Sequence, residues 1–167
     1  MSSQYFIGLD VGLSGGIVVI DETQKIIGKW IMPTIKSKGK TEYNVQEIVD
    51  IFTRINGSLI NSCWHVILEK EHARPISGKR ASFMLGFGYG LMQGILESLH
   101  VSYEIVSPQD WMKELNINSK DEKGSIKYCQ RMFPNEDFRA TERCTVIHDG
   151  ITDALCMSLI AYRRNKR

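Results

Sequence analysis

Paired cysteines at metal-binding spacing are missing from this chain. Its four cysteines, Cys63, Cys129, Cys144 and Cys156, are scattered, with no C-x-x-C among them. That argues against a zinc site and against a disulfide scaffold, and it predicts reduced thiols in a cytoplasmic protein. No apolar run is as long as a membrane span, so no membrane partner is expected. The first residues, Met1-Ser2-Ser3-Gln4, have neither the basic start nor the apolar stretch of a signal peptide. Linkers and internal repeats are lacking too. What is present is an ordinary globular composition, 43% hydrophobic and 24% charged over 167 residues, enough for one domain with a real core.

The net charge of +2 conceals clusters. Arg163, Arg164, Lys166 and Arg167 put +4 on the last five residues, which leaves −2 on the rest. Lys36, Lys38 and Lys40 form a second basic group, and Arg74, Lys79 and Arg80 a third. Clustered charge of this kind suits a polyanion. For the segment 163–167, a solvated tail and a nucleic-acid contact are both open readings.

The pattern predicts strands at Tyr5–Leu9, Gly16–Asp21 and Lys25–Pro33, with a hairpin turn at Asp21-Glu22-Thr23-Gln24. Residues 34–42 are polar and Lys-rich and read as a loop. Asn44 is placed to cap a helix reaching about Gly57, in which Val45, Ile48, Val49, Phe52 and Ile55 recur at helical spacing. His65–Glu69 reads as a fourth strand and 70–78 as a loop. A helix over 79–99 carries Gly86, Gly88, Gly90 and Gly94, a glycine load that suggests close approach by another backbone, a partner subunit or a nucleic acid. Val101–Val106 is a fifth strand. Helices follow from Pro108 to about Leu115, over Asp121–Met132 and over 147–164. A meander followed by βα crossovers implies an α/β fold: a mixed five-stranded sheet with helices on both faces.

Acids stand at the ends of two of these strands. Asp10 ends the first, just before the glycine-rich turn Gly12-Leu13-Ser14-Gly15-Gly16, and Glu69 ends the fourth. If the two strands run parallel, both carboxylates emerge at one sheet end. Asp149 and Asp153 are i and i+4 on the last helix and share a face. Four converging carboxylates suit hard divalent cations, Mg2+ with Mn2+ as a substitute, which activate water against a phosphodiester. Bland alternatives stand beside this. Asp10 can satisfy turn N–H groups, Asp149 can be a helix N-cap, and His148 can be a capping or core residue rather than a ligand or proton carrier.

The chain resembles the RuvC-type Holliday junction resolvases, especially their phage-encoded branch, within the RNase H-like nuclease superfamily. Ile7-Gly8-Leu9-Asp10-Val11-Gly12 is similar to the first catalytic motif of that family, with Val11 where proline is common. Val66-Ile67-Leu68-Glu69-Lys70 is similar to the second, and Gly86-Phe87-Gly88-Tyr89-Gly90 to the glycine-rich helix beyond it. Pro108-Gln109-Asp110-Trp111-Met112-Lys113 and Lys120-Asp121-Glu122-Lys123-Gly124-Ser125-Ile126 resemble the segments carrying basic site residues. His148-Asp149-Gly150 with Asp153-Ala154-Leu155 resembles the last acidic motif.

The resemblance implies a single RNase H-like nuclease domain over 1–162 with a basic tail at 163–167. It implies a Mg2+-dependent endonuclease acting on four-way DNA junctions as a homodimer, in the cytoplasm of a bacterial host if phage-encoded. Asp10, Glu69, Asp149 and Asp153 are the implied metal ligands. Asp149 is the least direct of them, since some members space the paired acids three apart. Lys123 is implied to contact the scissile phosphate. Lys113, Lys120, Arg74, Lys79 and Arg80 are assigned to DNA. Phe83 and Phe87 belong to a core or a dimer interface, or an aromatic near 74–83 stacks at the crossover. The alternatives are an RNase H-like RNA-processing nuclease, an actin- or sugar-kinase-like ATPase domain, and a non-catalytic branched-DNA binder.

Overall fold

The computed structural model describes residues 3–58, 62–70 and 78–166. The elements run β1 (Gln4–Asp10), β2 (Gly16–Asp21), β3 (Ile26–Ile31), β4 (Thr34–Ser37), β5 (Lys40–Tyr43), α1 (Val45–Ser58), β6 (Cys63–Glu69), α2 (Lys79–Ser98), β7 (Tyr103–Val106), α3 (Pro108–Glu114), α4 (Gly124–Met132) and α5 (Asp149–Asn165). Five strands make one sheet in the order β3-β2-β1-β6-β7. The β1–β2 and β2–β3 pairs are antiparallel, and β1–β6 and β6–β7 are parallel. This is the mixed sheet that the sequence predicts.

Alternation along the strands builds two cores, one on each face. Phe6, Val18, Ile20 and Ile67 face α3, α4 and α5 with Trp111, Phe138, Leu155 and Leu159. Ile7, Leu9, Ile17, Val19 and Leu68 face α1 and α2 with Ile48, Ile51, Phe52, Met92 and Leu96. Each such side chain taken from water contributes roughly 1.5–3 kcal/mol. In α1, Asn44 caps as expected, its Oδ1 accepting the Glu47 N–H at 3.3 Å. Val45 and Val49 are exposed, however, and Ile51 takes the inward place.

Three expectations change. Residues 34–42 are not a loop. They form the antiparallel hairpin β4–β5, closed by Lys38 and Gly39 at φ 49° and 75°. The helix expected from Asp121 begins at Gly124 with Lys123 as its N-cap, because Asp121 is occupied in a turn: its Oδ1 accepts the Lys123 N–H and its Oδ2 an ammonium hydrogen of Lys127. The basic stretch from 163 is helical to Asn165 rather than a solvated tail. Arg164 pairs with Glu104 at 2.6 Å and Glu114 at 2.9 Å, and Arg163 donates to the Tyr128 hydroxyl at 2.8 Å.

Candidate active site

The parallel register of β1 and β6 pairs Leu9 with Leu68, so Asp10 and Glu69 stand side by side at the next step. Neighbouring strands lie about 4.8 Å apart. Both acids share a face with Phe6, Gly8 and Ile67, the face that α5 covers. The glycine-rich turn orients Asp10: the Gly12 N–H donates to its Oδ1 at 3.1 Å. Glu69 is 8% exposed, and its Oε1 accepts the indole N–H of the buried Trp111 at 2.8 Å.

The helix α5 brings the other two acids. It runs antiparallel to β1 and touches it backbone to backbone. A Cβ at Gly8 would collide with the Ala154 carbonyl and stand 2.6 Å from the Ser158 nitrogen. At the other end, a Cβ at Gly150 would meet the backbone of Ser14 and Gly15. Only glycine permits either approach. The N-terminus of α5 therefore sits at the sheet end that carries Asp10 and Glu69, with the positive end of its dipole towards them.

From Gly150 to Ala161 every residue of α5 is buried except Asp153. Burial pushes the Asp153 carboxyl up to about 6 from 3.8; a hydrogen bond to Ser125 opposes this, and the Asp149 charge adds to it. Ser125 in turn meets the Thr152 hydroxyl at 3.2 Å. Asp149 is exposed and is not an N-cap: it is the first residue of the helix, and the cap position belongs to His148, whose side chain makes no cap hydrogen bond. His148 Nδ1 is buried and has no hydrogen-bond partner among the described residues.

Among the described residues, no three of the histidine, cysteine, aspartate and glutamate side chains are grouped tightly enough to hold a metal ion as they stand. In kind the donors fit one. They are hard carboxylate oxygens, the Asp153 carboxyl is pushed up to about 6 by burial and further by its neighbour's charge, and an imidazole nitrogen without a hydrogen-bond partner among the described residues adjoins them.

The basic residues separate. Lys123 stands two residues before Ser125 and so beside the Asp153 end of the site, and its side chain is exposed. Lys113, in the last turn of α3, and Lys120 are exposed as well. Lys79 is exposed at the start of α2. Arg80 reaches the Thr41 carbonyl at 3.1 Å and Glu42 at 3.3 Å and ties α2 to the hairpin. Arg74 lies outside the described residues. Of the glycines in α2, Gly88 lies under the Tyr43 ring, whereas Gly86, Gly90 and Gly94 face open space. Phe83 and Phe87 are 68% and 44% exposed and stack at 6.5 Å, outside the core of this chain.

Sequence reasoning missed Trp111, Ser125 and Tyr43 as parts of the site. Trp111 lies inside a motif singled out for its lysine, so a buried-type aromatic there was the available signal. The Tyr43 hydroxyl donates to the Val11 carbonyl at 2.7 Å, one residue beyond Asp10.

The fold has counterparts among solved structures. A structure of Thermus thermophilus RuvC in complex with a Holliday junction substrate superposes with a TM-score of 0.61 over 96% of each chain, at 11% identity. A second structure of Thermus thermophilus RuvC gives 0.58 over 97% of this chain and 96% of that one, at 13% identity. This chain has the RuvC fold. The resemblance read from the motifs is thus shown at the level of the fold, and the five-stranded sheet with its helices is that of RuvC. By sequence, no protein family and no individual curated protein matches the chain. No helix among the described residues is long and apolar enough to cross a membrane.

Proposed function

We propose that this protein is a metal-dependent endonuclease that resolves four-way DNA junctions, hydrolysing phosphodiesters in two opposed strands as a homodimer. The observation that carries the reading is the register that sets Asp10 beside Glu69 under the N-terminus of α5, where Asp149 and Asp153 begin the helix. The RuvC fold supports it, and so does the junction bound by one of the RuvC structures.

Asp10, Glu69, Asp153 and Asp149 would hold Mg2+, with Mn2+ as a substitute. When bound, the ions would neutralise the approach of a phosphate and activate a water. The chain's own groups do the rest. Gly12 and Trp111 fix the rotamers of Asp10 and Glu69. Ser125 steadies Asp153. Lys123 would bring its charge to the cleaved phosphate, and the exposed Lys113, Lys120 and Lys79 would meet the DNA backbone.

The test uses labelled four-way junction, linear duplex and RNA–DNA hybrid, with Mg2+ and with chelator. Junction cleavage requiring Mg2+ is expected. Asp10→Asn and Glu69→Gln should abolish it while leaving junction binding intact. Asp149→Asn should lower it at least tenfold, a loss unexpected of a residue that merely starts a helix. Preferential cutting of the hybrid would replace this reading with an RNA-processing one.

A further inference from the structure

The hairpin β4–β5 adds little to the folded core. Its first strand is exposed at Thr34, Ile35 and Lys36, and Tyr43 at its foot is its one buried hydrophobic residue. A four-pair ladder without an apolar face is marginal by itself. Yet it is firmly rooted, and its root is the acid end of the sheet. The Met32 N–H donates to the Gly15 carbonyl and the Asn44 N–H to the Pro33 carbonyl, both at 2.9 Å. The Tyr43 hydroxyl grips Val11, next to Asp10, and Arg80 clamps the outer strand through Thr41 and Glu42.

At the far end stand Lys36, Lys38 and Lys40, all exposed. Four residues of strand carry the tip roughly 13 Å from the root, about four base-pair steps of roughly 3.4 Å each. We propose that the hairpin is a DNA-backbone arm: a lever fixed beside the acids whose three lysines grip phosphates of a junction arm several nucleotides from the cleaved bond. This rests on the nuclease reading above. Lysines on a short exposed strand also guard against edge-to-edge pairing, and the experiment separates that role from DNA contact.

Affinity for four-way junction, linear duplex and duplex RNA is measured across salt concentrations for the wild type, for Lys36→Gln/Lys38→Gln/Lys40→Gln together, and for Lys25→Gln at the opposite sheet end. The triple variant should bind junction about 10- to 100-fold more weakly near 0.1 M salt, and its log–log salt slope should flatten by about 2–3. Its single-turnover cleavage rate at saturating junction should stay normal, and Lys25→Gln should change neither quantity. Lysine acetylation footprinting on the wild-type protein, which needs no variant to fold, should show Lys38 and Lys40 protected by bound junction. Unchanged affinity and slope, or unprotected lysines, in a protein that still cuts junctions would overturn the arm and leave the nuclease reading standing. Hairpin-dependent binding without junction cleavage would keep the arm and overturn the resolvase. Hairpin-dependent binding of RNA alone would assign the arm to RNA, and no binding to any of the three would overturn both.

Discussion

Asp153 is the one carboxylate, and the one residue not fully buried, within the twelve residues of α5 from Gly150 to Ala161. Burial and the Asp149 charge raise its carboxyl to about 6, against 3.8 in a free chain. The folded metal-free protein therefore holds an extra proton between these values. The contribution of Asp153 to stability should fall as pH rises through about 4 to 6, and this loss is complete above that window. Asp153→Asn removes the loss. At pH 7.5 and without metal it should be more stable than the wild type by about 1–3 kcal/mol after allowance for partial exposure, and near pH 3.5 the two should converge. Mg2+ should raise the melting temperature of the wild type at pH 7.5 far more than that of the variant. Denaturation across pH with and without Mg2+ reads all of this without any assay of cleavage, and a variant less stable at pH 7.5 would contradict it. Trp111 is the complementary case, a buried donor that positions an acid. Trp111→Phe keeps the ring packing but strips the donor from Glu69, costing about 1–3 kcal/mol of stability. The expected signature is a raised Mg2+ half-saturation together with a single-turnover rate lowered about tenfold. A loss of stability with normal Mg2+ dependence would reduce Trp111 to a core residue.

Elements meet at this site through backbone rather than side chains. Gly8 lets α5 lie on β1, and Gly150 lets its N-terminus enter the acid turn. Gly8→Ala should push the helix off the strand, costing about 3 kcal/mol, or a fall of about 6–12 °C in melting temperature, with cleavage lost because Asp153 moves with the helix. Equal stability of the variant by thermal denaturation would contradict the close approach. The strands β1, β2 and β6 and the helix α1 were legible in the sequence, because local signals decide them: apolar runs ending in an acid, and Asn44 ahead of a periodic stretch. The places of Asp10, Glu69 and Asp149 were legible for the same reason, since each ends or begins an element, and Asp153 follows one helical turn after Asp149. The hairpin β4–β5 was not, because Ile35 is the sole apolar residue in its first strand and alternation has nothing to bury. The last helix was legible too, to within a residue of its end, but the partners of its arginines were hidden for a different cause. Arg163 and Arg164 look like a charge run until their partners are known, and Glu104, Glu114 and Tyr128 lie 35 to 60 residues away. The Trp111–Glu69 bond, spanning 42 residues, was hidden in the same way. Long-range pairing of polar groups leaves no periodic trace.

At the scale of the whole molecule, the outer face of α2 stands out among the described residues as a surface without a role in the folded chain. Along the outside of α2, Gly86, Gly90 and Gly94 face open space, and Phe83 and Phe87 stack beside them in solvent. Symmetric cutting of two strands requires two active sites about a two-fold axis, and a helix face of glycines flanked by aromatics suits close packing against its own copy. Phe83 also fits the alternative of stacking on a base at the crossover. Phe83→Asp separates the two, because Phe83 is largely exposed and its loss should leave the monomer fold intact. If the face is the dimer interface, the variant should fall from dimer to monomer mass at micromolar concentration, and paired cleavage should become single nicks. If the ring stacks on DNA, the mass should stay that of a dimer, while fluorescence from a base analogue at the crossover reports weaker unstacking. We expect the change in mass, because Phe87, the stacking partner of Phe83, also leans at 6.0 Å on Tyr43, whose hydroxyl holds the Asp10 turn. Docking a second copy on this face would thus press on the same tyrosine that supports the site, and sedimentation of Phe83→Asp beside a junction nicking assay tests both consequences together.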